Sequence, residues 1–121
     1  MRRCYMGKIH PIPKEICYKY PKASKKAGQQ KGKIVARAWI DEPLDTGTYR
    51  RILDLIIWSD GKPEVRFCYY YQKIGGNETD WMFGRSAANL KPSTLRKLLK
   101  RAKENPQEGD FGEYLNFNGL G

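Results

Sequence analysis

The side chains in this sequence with chemistry to offer are rings and cations. Trp39, Trp58, Tyr69, Tyr70, Tyr71, Trp81 and Phe83 are interleaved with Arg37, Arg50, Arg51, Lys62, Arg66, Lys73 and Arg85. A flat ring gives an unpaired base a face to stack on, worth about 1–3 kcal/mol per base with little sequence preference, while cations follow the phosphate backbone. A duplex gains less, because its bases already stack on one another. The bland reading of the same rings is core plus dimer interface. Against it stands the cost of burying Arg37 or Arg66, which would need partners.

Residues for covalent or metal chemistry are sparse. The one histidine, His10, sits beside Pro11. The sequence has no Ser-His-Asp set and no Gly-rich phosphate loop. Cys4, His10 and Cys17 fit no zinc spacing and lack a fourth ligand, so the three cysteines read as free thiols. Asp54, Asp60, Glu64 and Asp80 are the carboxylates from which a Mg²⁺-dependent nuclease would be built, although Asp60 is better explained by turn chemistry. The expectation is a protein that is not an enzyme, with no cofactor and no metal.

These residues are positioned by strands. Lys33-Ile34-Val35-Ala36-Arg37-Ala38-Trp39-Ile40 is β-branched and aromatic and runs into the turn Asp41-Glu42-Pro43-Leu44-Asp45. Residues 49–58 predict a second strand, with Leu53, Leu55 and Ile57 on one face and Ile52, Asp54, Ile56 and Trp58 on the other. The Asp60-Gly61 pair is a hairpin signal. Residues 64–73 predict a third strand, in which Val65, Phe67, Tyr69 and Tyr71 alternate with Arg66, Cys68, Tyr70 and Gln72. Gly75-Gly76-Asn77 makes another turn, and residues 80–85 predict a short fourth strand. Both faces of the second and third strands are apolar enough to be buried.

One helix follows. Lys91-Pro92-Ser93-Thr94 supplies a proline and a hydroxyl cap. Leu95, Leu98, Leu99 and Ala102 form an apolar stripe opposite Arg96, Lys97, Lys100, Arg101 and Lys103, and Pro106 ends the pattern. That uniform Lys/Arg face has no base-reading set; it fits phosphate contact or plain solubility. The predicted class is α+β: a curved four-stranded antiparallel sheet, β-β-β-β-α, with a C-terminal helix on one face.

The chain has 121 residues, with 23 Lys+Arg, 13 Asp+Glu and a formal charge of +10. That length suits one domain. Residues 1–33 hold ten basic side chains and one acid, so the basicity lies mainly in an arm. The expected organisation is a basic, partly disordered arm over 1–32, a nucleic-acid-binding domain over 33–104, and an acidic-aromatic flexible tail over 105–121. Lys22, Lys25, Lys26, Lys31 and Lys33 are expected to contact phosphates by counterion release, while Tyr5, Ile9, Ile12, Ile16, Tyr18 and Tyr20 give residues 4–20 apolar groups with which part of the arm would dock on the core. The tail, with Phe111, Tyr114, Leu115, Phe117 and Leu120 among its acids, would attract a protein partner or pack on its own domain or a twin subunit. Apolar runs such as Leu55-Ile56-Ile57-Trp58 are far short of the roughly 20 residues that span a bilayer. The expected location is the cytoplasm in association with the nucleoid, or the nucleus in a eukaryote, and no membrane contact is expected.

Leu53-Asp54-Leu55-Ile56-Ile57-Trp58-Ser59-Asp60-Gly61-Lys62-Pro63 and Val65-Arg66-Phe67-Cys68-Tyr69-Tyr70-Tyr71 resemble the second and third strands of the positive-cofactor-four type of transcriptional coactivators and their bacterial relatives. Gly84-Arg85, then Leu90 and Pro92, then Leu95 and Leu98, resemble that family's approach to its C-terminal helix. The resemblance spans roughly residues 34–104. It implies a non-catalytic homodimer that binds single-stranded or melted DNA along the sheet, with Trp58, Lys62, Arg66, Tyr70, Lys73 and Arg85 as implied contacts. Ala87 stands where that family often has glycine, the connection through Gly75-Gly76-Asn77-Glu78-Thr79 differs in length, and the acidic tail is no part of the pattern. Read together, residues and resemblance predict binding of a single strand, DNA rather than RNA, by Arg37, Trp39, Arg50, Arg51, Trp58, Lys62, Arg66, Tyr70, Lys73, Trp81 and Arg85. The alternatives are a protein-interaction adaptor, using the aromatic face and the tail, and a metal-dependent nuclease.

Overall fold

Alternating apolar and polar residues between glycine-bearing turns make the centre of the chain a sheet. A computed structural model describes residues 9–20, 28–84 and 89–114. The strands are β1 (Ile9–His10), β2 (Glu15–Tyr20), β3 (Gly28–Leu44), β4 (Gly47–Trp58), β5 (Pro63–Lys73), β6 (Trp81–Phe83) and β7 (Glu108–Gly109). The helix α1 (Pro92–Glu104) lies between β6 and β7, and a short 3₁₀ turn covers Gly112–Tyr114. Every pairing is antiparallel, in the order β1-β6-β5-β4-β3-β2, with β7 added beside β3. Gly61 and Gly75 take φ values of +84° and +81° in the two turns that the sequence marks, a region costly for other residues.

The α+β class stands: an antiparallel sheet, curled, with one helix. The β-β-β-β-α order holds from β3 through α1, but the sheet has seven strands among the described residues where four were expected. The extra strands come mostly from the basic segment. β3 begins at Gly28, not Lys33, and β2 pairs with its first six residues, from Glu15 opposite Lys33 to Tyr20 opposite Gly28. Basic composition does not prevent this. Lys31 and Lys33 point to solvent while their backbone groups stay in the ladder.

The two faces of the sheet are buried differently. On the outer face, α1 lies over β3 and part of β4. Ala36, Ala38, Leu53 and Leu55 pack there with Leu98, Ala102 and Phe111; the two alanines let the helix approach closely. The helix lacks the expected hydroxyl cap: Lys91 occupies the cap position without a side-chain bond, and Thr94 instead donates to Glu42 Oε2 at 2.9 Å. Leu95, expected in the apolar stripe, is exposed.

After the helix the chain returns to protect the edge of β3. Gln107 Nε2 donates to the Trp39 carbonyl at 2.8 Å, and the Trp39 N–H donates to Gln107 Oε1 at 2.9 Å. β7 then pairs with Ala36 and Arg37, just past a bulge at Val35. Gly109 sits there at φ +67°, and a Cβ on it would lie 2.0 Å from the Val35 carbonyl oxygen. Only glycine fits.

On the inner face the N-terminal strands act as a cover. β1 pairs with β6 at one edge and β2 with β3 at the other, so residues 11–14 carry the chain between the two edges of the sheet. The Ile34 N–H donates to the Lys14 carbonyl at 2.8 Å. Ile12 packs on Ile52, Cys68, Tyr70 and Trp81, and Ile16 packs on Ile56 and Trp58. Together they cover two apolar clusters on the inner side of the curled sheet.

Candidate nucleic-acid interface

Register decides which rings face water. Arg37 pairs with Asp54 and Asp54 with Arg66, while Arg50 pairs with Tyr70 and Tyr70 with Phe83. These residues share the inner face, and most are sealed there. Tyr70 is 0% exposed, Trp81 1%, Arg37 3% and Trp58 8%. This corrects the expectation that Arg37, Trp58, Tyr70 and Trp81 stand on an open wall. Arg66 and Trp39 are half-buried beside them.

The partner that makes this burial tolerable is Asp54. Arg37 Nε donates to its Oδ1 at 2.6 Å and Arg37 Nη2 to its Oδ2 at 3.1 Å; Arg66 Nη2 donates to Oδ2 at 3.0 Å. Burial by itself would lower the affinity of Arg37 for its proton. The hydrogen bond and the charge of Asp54 outweigh that and raise its pKa. Cys68 lies 4.0 Å from the same carboxylate, and burial pushes its thiol up to about 12, although Arg66 and Arg37 pull the other way. It is therefore a packing residue and not a nucleophile. Asp54 is occupied by two guanidinium groups, and Asp60 accepts the Lys62 N–H within its turn.

Arg50 is also structural. Its guanidinium stands 4.5 Å from the ring centroids of both Trp39 and Trp81, and it donates to both oxygens of Asp41. Sandwiched cations of this kind are worth about 0.5–2 kcal/mol per ring. Trp58 donates its indole N–H to Glu64 Oε1.

The outer face carries a second set of rings, of which Phe67 is exposed and Tyr49, Tyr69 and Tyr71 are half-buried. Val65, Phe67, Tyr69 and Tyr71 form one row along β5, opposite Leu55, Leu53, Arg51 and Tyr49 of β4. Phe67 is 39% exposed and Val65 44%. Tyr49 meets Tyr69 edge-on at 5.6 Å and Tyr71 at 5.3 Å. The Arg51 guanidinium lies 4.8 Å from the Tyr49 ring and 5.4 Å from Tyr69, and its Nε donates to Glu42 Oε1 at 2.6 Å. Tyr69 lies across the backbone of Gly84, where a Cβ would come within 2.1 Å of its ring. The rings are therefore held in place by one another.

Cations surround this row. Lys62 and Lys73 are exposed at the two ends of β5, and Lys31 and Lys33 are exposed on β3. On α1, Arg96, Lys97, Lys100 and Lys103 are exposed and its first turn has no acid. Of the predicted contacts, then, Arg51, Lys62 and Lys73 lie on or beside the outer wall, with Lys31 and Lys33 nearby. Arg85, Lys22, Lys25 and Lys26 lie outside the described residues. Sequence reasoning missed Tyr49, Phe67, Tyr69 and Tyr71 as a set; their shared period of two was visible, but not the direction it faced. No helix among the described residues is long and apolar enough to cross a membrane.

No protein-family model matches this sequence, and neither a curated protein nor a solved structure matches it.

Proposed function

We propose that this protein binds single-stranded nucleic acid without catalysis, and that the binding surface is the outer wall of β4 and β5. One observation carries the reading: Phe67, Tyr69 and Tyr71 stand in an outward row, braced by Tyr49 and Arg51, with lysines at both ends. Alternate residues of a strand repeat about every 6.8 Å. A duplex stacks its bases at 3.4 Å along each strand and leaves no gap for such rings. An unpaired strand can open its bases onto them. The cations of α1, on the same face of the sheet, would take the phosphates.

The dimer that the family resemblance implies belongs to this reading. Support for it is that β6 pairs only with Tyr70, Tyr71 and Gln72, so among the described residues the first half of β5 has a strand on one side only. A second reading, a protein-interaction adaptor, has its own support in two exposed aliphatic residues, Val65 in the row and Leu95 on α1.

Phe67→Ala and Tyr71→Ala should each weaken binding of labelled oligo-dT about tenfold, within the roughly 1–3 kcal/mol that one stacked base contributes. Trp58→Phe, on the inner face, should leave it unchanged. Fluorescence anisotropy at fixed salt measures all three. Unchanged affinity in both outer-wall variants would remove this surface. No binding of any single strand by the parent protein, with a protein partner recovered, would favour the adaptor.

A further inference from the structure

The aromatic row does not end on flat sheet. Beyond Tyr71 it opens into a cleft of about 290 Å³ at the β5–β6 turn. That volume is near the lower end of the roughly 300–1,000 Å³ typical of small-ligand sites. Tyr71 and its cross-strand partner Met82 form one apolar wall, and Ile74 forms another. Ile74 is 76% exposed, the most of any large apolar residue described, and nothing on the sheet requires it there. Lys73 and Asp80 are the two charged residues of the lining.

Building on the single-strand reading above, we propose that this cleft takes one guanine of the bound strand. Its walls are apolar and one is a ring, which suits a planar base. Its selectivity comes from Asp80. The carboxylate is held in place because Oδ2 accepts the Asn77 N–H at 2.9 Å, whereas Thr79 Oγ1 approaches Oδ1 only to 3.5 Å. An ionised carboxylate only accepts, and its two oxygens offer about four sites. Guanine alone among the four DNA bases has two adjacent donors, N1–H and the N2 amino group, on its Watson–Crick edge. Adenine, cytosine and thymine each place an acceptor beside their donor, and that lone pair would face the carboxylate. Lys73, on the rim, is placed for the phosphate of the same nucleotide. Tyr71 is then shared: it is the last ring of the row and the first wall of the cleft.

The test is a comparison of affinities within one protein. Labelled oligo-dT, the same strand with one central dG, and the same strand with deoxyinosine at that position are titrated by anisotropy. The dG strand should bind about fivefold more tightly than oligo-dT, a gain at the low end of what a good bidentate base contact discriminates. Deoxyinosine lacks the N2 amino group and should lose most of that gain. In Asp80→Asn, whose amide can still accept the Asn77 N–H but no longer offers two acceptors, the dG to dT ratio should fall to one. Equal affinity for dG and dT strands in the parent protein overturns the guanine site and leaves the single-strand reading intact. Failure to bind any strand overturns both. Free guanosine monophosphate that binds tightly while the strands show no preference would assign the cleft to a free nucleotide and also overturn the proposal.

Discussion

At the scale of single residues, the fold turns on one carboxylate between two guanidinium groups. A charged side chain inside a small core costs several kcal/mol, and the mutual attraction in that setting offsets the cost only when the geometry satisfies all members. Asp54 is 0% exposed and bonds both Arg37 and Arg66. This was half legible. The sequence says that buried arginines need a partner, and Asp54 lies on the neighbouring strand. The pairing of 37 with 54 and 54 with 66 depends on register, which composition does not reveal. Asp54→Asn keeps the shape and removes the charge, so two cations are left with one neutral acceptor. We expect a loss of about 3–5 kcal/mol in urea unfolding, the range for breaking a buried pair from one side. A loss under about 0.5 kcal/mol would mean that the arginines find water in the folded protein, and that the inner face is open after all.

At the scale of elements, the strands and turns of the central meander were readable because period-two alternation and Gly-bearing turns report local geometry. The inward face of β5 was not. Val65, Phe67, Tyr69 and Tyr71 are as apolar as a core set, while the other parity includes Arg66 and Gln72 and so looks like the wet side. The curled sheet buries the second parity, because Asp54 accepts Arg66 and Ile12 packs on the cluster that holds Tyr70. The sequence leaves both parities open, and Tyr70 enters as a contact through the family resemblance; a choice of parity moves every contact on a strand to the far face. The link between helix and sheet has a consequence of its own. Glu42 receives Arg51 Nε and Thr94 Oγ1, joining β3, β4 and the first turn of α1. The hydrogen bond from Arg51 first, and that from Thr94 after it, hold the Glu42 carboxyl below its ordinary 4.5, against the opposing effect of burial. The unfolded chain therefore binds the proton more tightly than the folded one. The stabilisation from this group is complete above the ordinary value and is lost as pH falls through the lower folded value. Subtracting the urea midpoints of Glu42→Gln from those of the parent should give a difference that shrinks as pH is lowered below about 4.5. A difference that is flat with pH would show that the latch does not depend on charge.

At the scale of the whole molecule, the composition of the N-terminal segment and its place in the fold point in different directions. Its lysines suit phosphate, and a chain read by charge alone looks like a solvated arm. Yet Ile12 and Ile16 occupy the inner core, and β1 and β2 complete the pairing at both edges of the sheet. The long-range closure was invisible to local periodicity, because β1 is two residues long and β2 pairs with a lysine-rich half of β3. A detachable arm and a built-in strand make different predictions for the same deletion. If the segment were only an electrostatic arm, removing residues 1–20 would reduce the salt dependence of binding and leave the fold intact. Because it covers Ile56, Trp58, Tyr70 and Trp81, the deletion should instead expose a contiguous apolar face and an unpaired edge on β3. We expect loss of the near-ultraviolet signal of the buried tryptophans, binding of a hydrophobic dye, and a broad unfolding transition in place of a cooperative one. Ile16→Asp should reproduce these effects in the full-length chain, because it puts a charge against Ile56 and Trp58 without removing a single lysine. A truncated protein with an unchanged aromatic signal and a sharp transition would show that the sheet holds its inner face without the segment, and would return these residues to the role of a solvated arm.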